Sequence, residues 1–109
     1  MVLTSIDGQA GRIEQSAEAQ SVIAKCLQSH RDGDANALFD LGVAYSTGSH
    51  GLACDMIEAH RWFNIAASQG HEEASWCRAD VSDEMTAREI AEAQRRARQW
   101  LADERRIAA

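Results

Sequence analysis

The chain has no proline, one lysine, four valines and three threonines among 109 residues. Without proline no helix is broken by a missing N–H, so every turn falls to glycine or to a capping side chain. So few β-branched residues beside 20 alanines exclude a sheet protein and make the chain all-helical. The three cysteines, Cys26, Cys54 and Cys77, are an odd set with no CxxC pair, which argues against a closed disulfide framework. They read as reduced thiols, half-buried on alanine-rich helix faces. No apolar run approaches the about 18 residues of a membrane span. The start, MVLTSIDGQAGR, lacks a basic region followed by an apolar stretch, so the expectation is a soluble cytoplasmic protein.

Basic charge is also scarce. The formal net charge is −6, from 11 basic and 17 acidic residues. Residues 1–83 hold 5 basic and 12 acidic side chains, whereas 84–109 hold 6 and 5. Phosphate backbones need a concentrated positive field, so this acidic body argues against nucleic-acid binding. The length is that of one small domain. Its division reads as a flexible N-terminus over 1–10 and a helical domain over 11–109.

What is present is helical periodicity with punctuation. A first helix starts near Arg12, with Ile13, Ala17, Ala24 and Leu27 on one stripe and Ile23 beside it. It stops near Gly33, a left-handed cap. Asp34 offers an N-cap for a second helix, 35–47, with Ala37, Leu38, Leu41, Gly42 and Tyr45 on its apolar face. Gly48 and Gly51 mark a loop. A third helix begins at Asp55, with Glu58 three residues on, a capping-box spacing. It carries Ala59, Trp62, Phe63, Ala66 and Ala67 inward and closes at Gly70. A fourth runs over 72–83, with Ala74, Cys77 and Val81 inward and Trp76 as a further inward candidate. The fifth, 86–104, has the fullest start signal: Thr86 with Glu89 as a capping box and Met85 with Ile90 as a hydrophobic staple. The expected architecture is a short α-solenoid, an α-α superhelix of about five antiparallel helices.

The sequence also repeats. Gly33-x-x-x-Ala37 recurs as Gly70-x-x-x-Ala74, and at that shift of 37 residues Phe39 meets Trp76. A period in the thirties signals a stacked helix–turn–helix unit. Residues 37–70 carry Ala37, Leu41, Gly42, Tyr45 and Gly48, then Asp55, Glu58, Ala59, Trp62, Ala66, Ala67 and Gly70. These twelve positions, at their spacing, resemble the Sel-1-like repeat, a relative of the tetratricopeptide repeat. One repeat is complete, over about 33–70. Residues 71–83 read as a degenerate half-repeat, because Arg78 and Ser82 stand where leucine and tyrosine belong. Helix 86–104 then reads as a cap for the solenoid's end.

The resemblance implies a non-enzymatic protein-interaction module, binding a protein or peptide on the concave face made by the first helix of each repeat. That points to Asn36, Phe39, Asp40, Val43, Glu73 and Trp76. Phe39 and Trp76 weigh most, as aromatics at equivalent positions; inter-repeat packing is their other reading. A homodimer without separate ligand is the alternative function. A third class, metal binding or hydrolysis, would draw on His50, Cys54 and His60, or on Cys77 beside Arg78, but no fourth ligand or catalytic constellation is visible. No cofactor is expected. The arginines Arg95, Arg96, Arg98, Arg105 and Arg106 read as a solvated helix face, with docking of an acidic partner as the minority reading.

Overall fold

The computed structural model describes residues 16–108. Among them the regular structure is five α-helices: α1 (Ala17–Arg31), α2 (Ala37–Thr47), α3 (Met56–Ser68), α4 (Glu72–Ser82) and α5 (Ala87–Ala108). The expected helix start at Arg12, the position of Ile13 and the N-terminal segment 1–10 lie outside the described residues.

The starts follow local side-chain chemistry. Ser16 Oγ accepts from Ala19 N at 3.0 Å and opens α1. Asp55 Oδ1 accepts from Glu58 N at 3.1 Å and opens α3. Thr86 and Glu89 close the reciprocal box at α5: Thr86 N donates to Glu89 Oε1 at 2.8 Å, and Glu89 N to Thr86 Oγ1 at 3.1 Å. One start differs from expectation, and one cap is not apparent from the sequence pattern. Asp34 does not cap α2; its Oδ1 takes Asn36 N at 2.9 Å in a turn, and the helix begins at Ala37. His71 caps α4, its Nδ1 accepting from Ala74 N at 3.1 Å. α5 runs past the expected end at 104, to Ala108.

The repeat is visible in the backbone. Gly33 and Gly70 have φ of 99° and 98°, the left-handed region that favours glycine. The bonds around them correspond: Gly33 N to His30 O and Asp34 N to Ser29 O, against Gly70 N to Ala67 O and His71 N to Ala66 O. The same crossed pattern thus closes α1 and α3 and launches α2 and α4. Ala37 and Ala74, at equivalent points beyond, are both buried.

α3 is the central helix. It packs against α2, α4 and α5, while α1 packs on α2. Three covered sides explain why Ala59, His60, Trp62, Phe63, Ile65 and Ala66 are all buried on one helix. Gly42 is where α2 meets α3 most closely: a Cβ there would stand 2.7 Å from the Phe63 ring. Leu38, Leu41, Tyr45, Ala74, Val81 and Ala97 complete the core.

Two expectations about packing are corrected. On α1 the buried residue is Ala19, with Ile23, Cys26 and Leu27 against the core, whereas Ala17 and Ala24 are exposed. The stripe is therefore rotated from the one that Ala17 and Ala24 suggest, because alanine is as easily exposed as buried. α5 does not cover the outer side of α4 as a solenoid cap would. It lies against α3, through Ala93 and Ala97 and a T-shaped contact of Trp100 with Trp62 at 5.4 Å. Trp100 also meets His30 of α1 at 5.6 Å. The indole–indole contact and the alanine face draw α5 back over the centre, and no helix among the described residues covers the outer face of α4.

Candidate functional site

The sequence-predicted residues divide into three groups. Asn36 and Phe39 are engaged at the junction of the two repeat units. His71 Nε2 pairs with Asn36 Oδ1 at 2.8 Å, and the Phe39 ring stacks on His71 at 4.4 Å and tilts against Phe63 at 5.7 Å. Because His71 Nδ1 accepts from Ala74 N, the ring's proton sits on Nε2, which donates to Asn36. Phe39 is thus a packing residue. Asp40 is exposed near Asp34, Cys26 and the α4 cap His71; partial burial and the charge of Asp34 raise its carboxyl pKa, and His71 opposes the rise. Val43, Glu73 and Trp76 remain as surface elements of the α2–α4 face.

That face holds an open cavity of about 340 Å³ between α2, α3 and α4. Its floor is Phe63 and Met56, its walls Val43, Ser46, Cys77 and Val81, and its rim Asp80 and Glu84. Trp76 precedes wall residue Cys77 by one position and Asp80 by one helical turn, and it is 67 % exposed. At the repeat shift it should match Phe39. It differs because no helix among the described residues lies over α4 as His71 and α4 lie over Phe39. The Cys77 thiol is raised by burial and then by the charges of Glu73 and Asp80, so both carboxylates stand near the cavity wall. Arg78 does not activate it; its Nη1 donates to Asn64 Oδ1 at 2.7 Å on α3.

A second cluster sits on the opposite side, between α3 and α5. Glu58 Oε1 accepts from Arg61 Nη1 at 3.1 Å and from Trp62 Nε1 at 3.2 Å, and Glu58 Oε2 accepts from Arg96 Nη1 at 2.7 Å. The Arg61 guanidinium lies over the Trp62 ring at 4.4 Å. Glu92 takes Arg95 and Arg96, which hold its carboxyl down to about 2. The Glu92–Arg96 pair is the one the sequence spacing suggests. Burial and the charges of Glu58 and Asp55 push the Tyr45 hydroxyl up to about 12. Glu58 and Glu92 collect the arginines and the Trp62 indole, so the cluster ties α5 to α3.

The histidine and cysteine residues weighed for metal binding do not gather. His50 and Cys54 are exposed in the loop after α2, whereas His60 is buried within α3. Among the described residues no three His, Cys, Asp or Glu side chains form a metal-holding group. Cys54 is exposed rather than half-buried, and Cys26 and Cys77 are partly covered.

The repeat signature is accounted for by packing. Ala37, Leu41, Gly42, Tyr45, Ala59, Trp62 and Ala66 are buried, Ala67 is partly so, and Gly48 and Gly70 turn the chain at positive φ. Asp55 caps α3, and Glu58 is the cross-helix acceptor just described. Sequence reasoning missed Ser46, Met56, Phe63, Asp80, Val81 and Glu84 as cavity residues. Asp80 and Glu84 recur one turn apart on the side of Cys77, which is the signal that was available. No helix among the described residues is long and apolar enough to cross a membrane. Comparison with family models, with curated proteins and with solved structures finds no match.

Proposed function

We propose that this protein is a non-enzymatic interaction module that holds a segment of another protein in the groove between α2 and α4. The observation that carries it is the open cavity of about 340 Å³ whose floor and walls are Phe63, Met56, Val43 and Val81. An apolar hollow rimmed by polar groups suits an anchoring side chain. The resemblance of residues 37–70 to Sel-1-like repeats supports the same reading, since α2 and α4 are the first helices of their units. A cytoplasmic setting fits three unpaired cysteines.

A photo-crosslinking residue at exposed Asp80, compared with one at exposed Gln94 on α5, tests the reading. Discrete crosslinked products from position 80 and none from 94 support it. Equal products from both, or none from 80, remove it. A homodimer is the second reading, favoured by the uncovered outer face of α4 with Trp76 on it. Sedimentation at micromolar concentration separates the two.

A further inference from the structure

The α4 side of the groove is charged in one sense only. Glu73, Trp76 and Asp80 follow one another on α4 at helical spacings of three and four and form one stripe beside the cavity, and Glu84, in the turn after α4, lines it further on. None of the three carboxylates is in an ion pair among the described residues. The nearest arginine in sequence, Arg78, is held by Asn64 on α3. Trp76 stands among these acids with its ring open to solvent.

The protein already contains the complete form of such a set. On α3 the Arg61 guanidinium lies over the Trp62 ring at 4.4 Å and donates to Glu58 Oε1 at 3.1 Å. A guanidinium satisfies both neighbours at once, because its flat face attracts the indole quadrupole while its edge donates to a carboxylate. Lysine offers a point charge and stacks less well. On α4 the indole and carboxylates are present, and no cation among the described residues pairs with them.

We propose that the groove's partner is an amphipathic, arginine-bearing protein segment. An aliphatic side chain of that segment fills the cavity over Phe63, and a neighbouring arginine lies on Trp76 against Asp80 and Glu73. This rests on the groove being the binding surface, and it adds the partner's chemistry. An acidic or purely apolar segment is rejected: the first by repulsion, the second because the rim carboxylates of Asp80 and Glu84 would lose water without gaining a partner.

The test uses the full chain labelled with ¹⁵N and short alanine-based helical peptides carrying leucines flanked by arginine, lysine, glutamine or glutamate. The arginine peptide should shift the Trp76 indole N–H and the Val43 and Val81 amides, and bind more weakly as salt rises. Trp76→Leu should weaken it about threefold. Asp80→Arg with Glu84→Arg should abolish it and admit the glutamate peptide instead. The dispersed spectrum of each variant reports that it is folded. Equal binding of the glutamine and arginine peptides would overturn the arginine inference while leaving the groove as a docking surface. No peptide shifting the groove signals would overturn both. Concentration-dependent shifts of the same signals without peptide would assign the groove to a second copy and also overturn the inference.

Discussion

Arg96 Nη1 donates to Glu58 Oε2 at 2.7 Å, joining residues 38 positions apart on α5 and α3. Glu58 stands three residues after the α3 N-cap, where a capping-box partner would turn back to the backbone of Asp55. It bonds outward instead, to Arg61, Trp62 and Arg96, and so becomes the polar link that holds the last helix to the centre.

Replacing Glu58 should therefore cost more than losing a helix cap. Glu58→Ala removes acceptors for three side chains in a part-buried position, for an expected loss of about 1–3 kcal/mol in urea unfolding. Glu92→Gln, on the exposed side of α5, should leave the melting temperature nearly unchanged.

Gly42 is a position where adding one methyl is expected to destabilise. The new Cβ would stand 2.7 Å from ring carbons of Phe63, which is itself buried among α2, α3 and α4. Overpacking should outweigh the helix propensity gained, leaving Gly42→Ala about 1–2 kcal/mol less stable. In a Phe63→Leu background the same change should be nearly neutral, which a double-mutant cycle would read directly.

Phe39 and Trp76 should respond oppositely although they occupy equivalent repeat positions. Phe39→Ser removes a ring stacked on His71 and should lower stability by about 2–4 kcal/mol. Trp76→Ser alters an exposed side chain and should stay within about 0.5 kcal/mol of the parent in thermal melts. A collapsed melt of the Trp76 variant would show that α4 is covered in solution.

His60 gives the fold a pH dependence of known sign. Its side chain is buried, its Nδ1 has no hydrogen-bond partner, and burial followed by the charge of Arg78 lowers its pKa. The unfolded chain then binds the proton more readily than the folded one, so its contribution is complete above about pH 6.5. It is lost as pH falls through the depressed folded value. His60→Phe should flatten that part of the stability–pH curve, measured by urea denaturation between neutral and mildly acidic pH.

The thiols should be ranked by exposure and charge. Cys54 is exposed, whereas Cys26 and Cys77 are partly covered and raised by burial and neighbouring carboxylates. A thiol-exchange reagent at neutral pH should modify Cys54 first, and Cys77 should slow further when an arginine peptide fills the groove.

Much of the fold was legible because its signals are local. A cap needs one oxygen near one N–H, and Asp55, Ser29 to Asp34 and Thr86 with Glu89 supply such pairs within a few residues. Gly33 and Gly70 declared the repeat because few other residues take their backbone angle. Alanine was the weak point. Ala17 and Ala24 suggested a buried stripe on α1, yet they face solvent, since a methyl group gains too little from burial to fix a helix's rotation.

The candidate site was legible only in part for a related reason. Val43 lines the groove and Glu73 and Trp76 stand beside it, but Phe63, its floor, reads in sequence as one more core residue of α3. Its place beneath the groove depends on how far α2 and α4 stand apart, which no single helix encodes.

The sequence alone determined an all-helical chain: alanine without proline, glycines at the turns and capping side chains at the starts act over a few residues and need no partner. Only the tertiary structure decided what those helices leave open. Trp62 and the alanine face of α5 make α3 the better surface for the last helix, through Trp100, Ala93 and Ala97. Among the described residues that choice leaves α4 uncovered, and with it Trp76 and its carboxylates. Burial is a property of neighbours that meet across the fold, and two residues alike in sequence position acquired different surroundings because, among the described residues, one has a helix beyond it and the other does not.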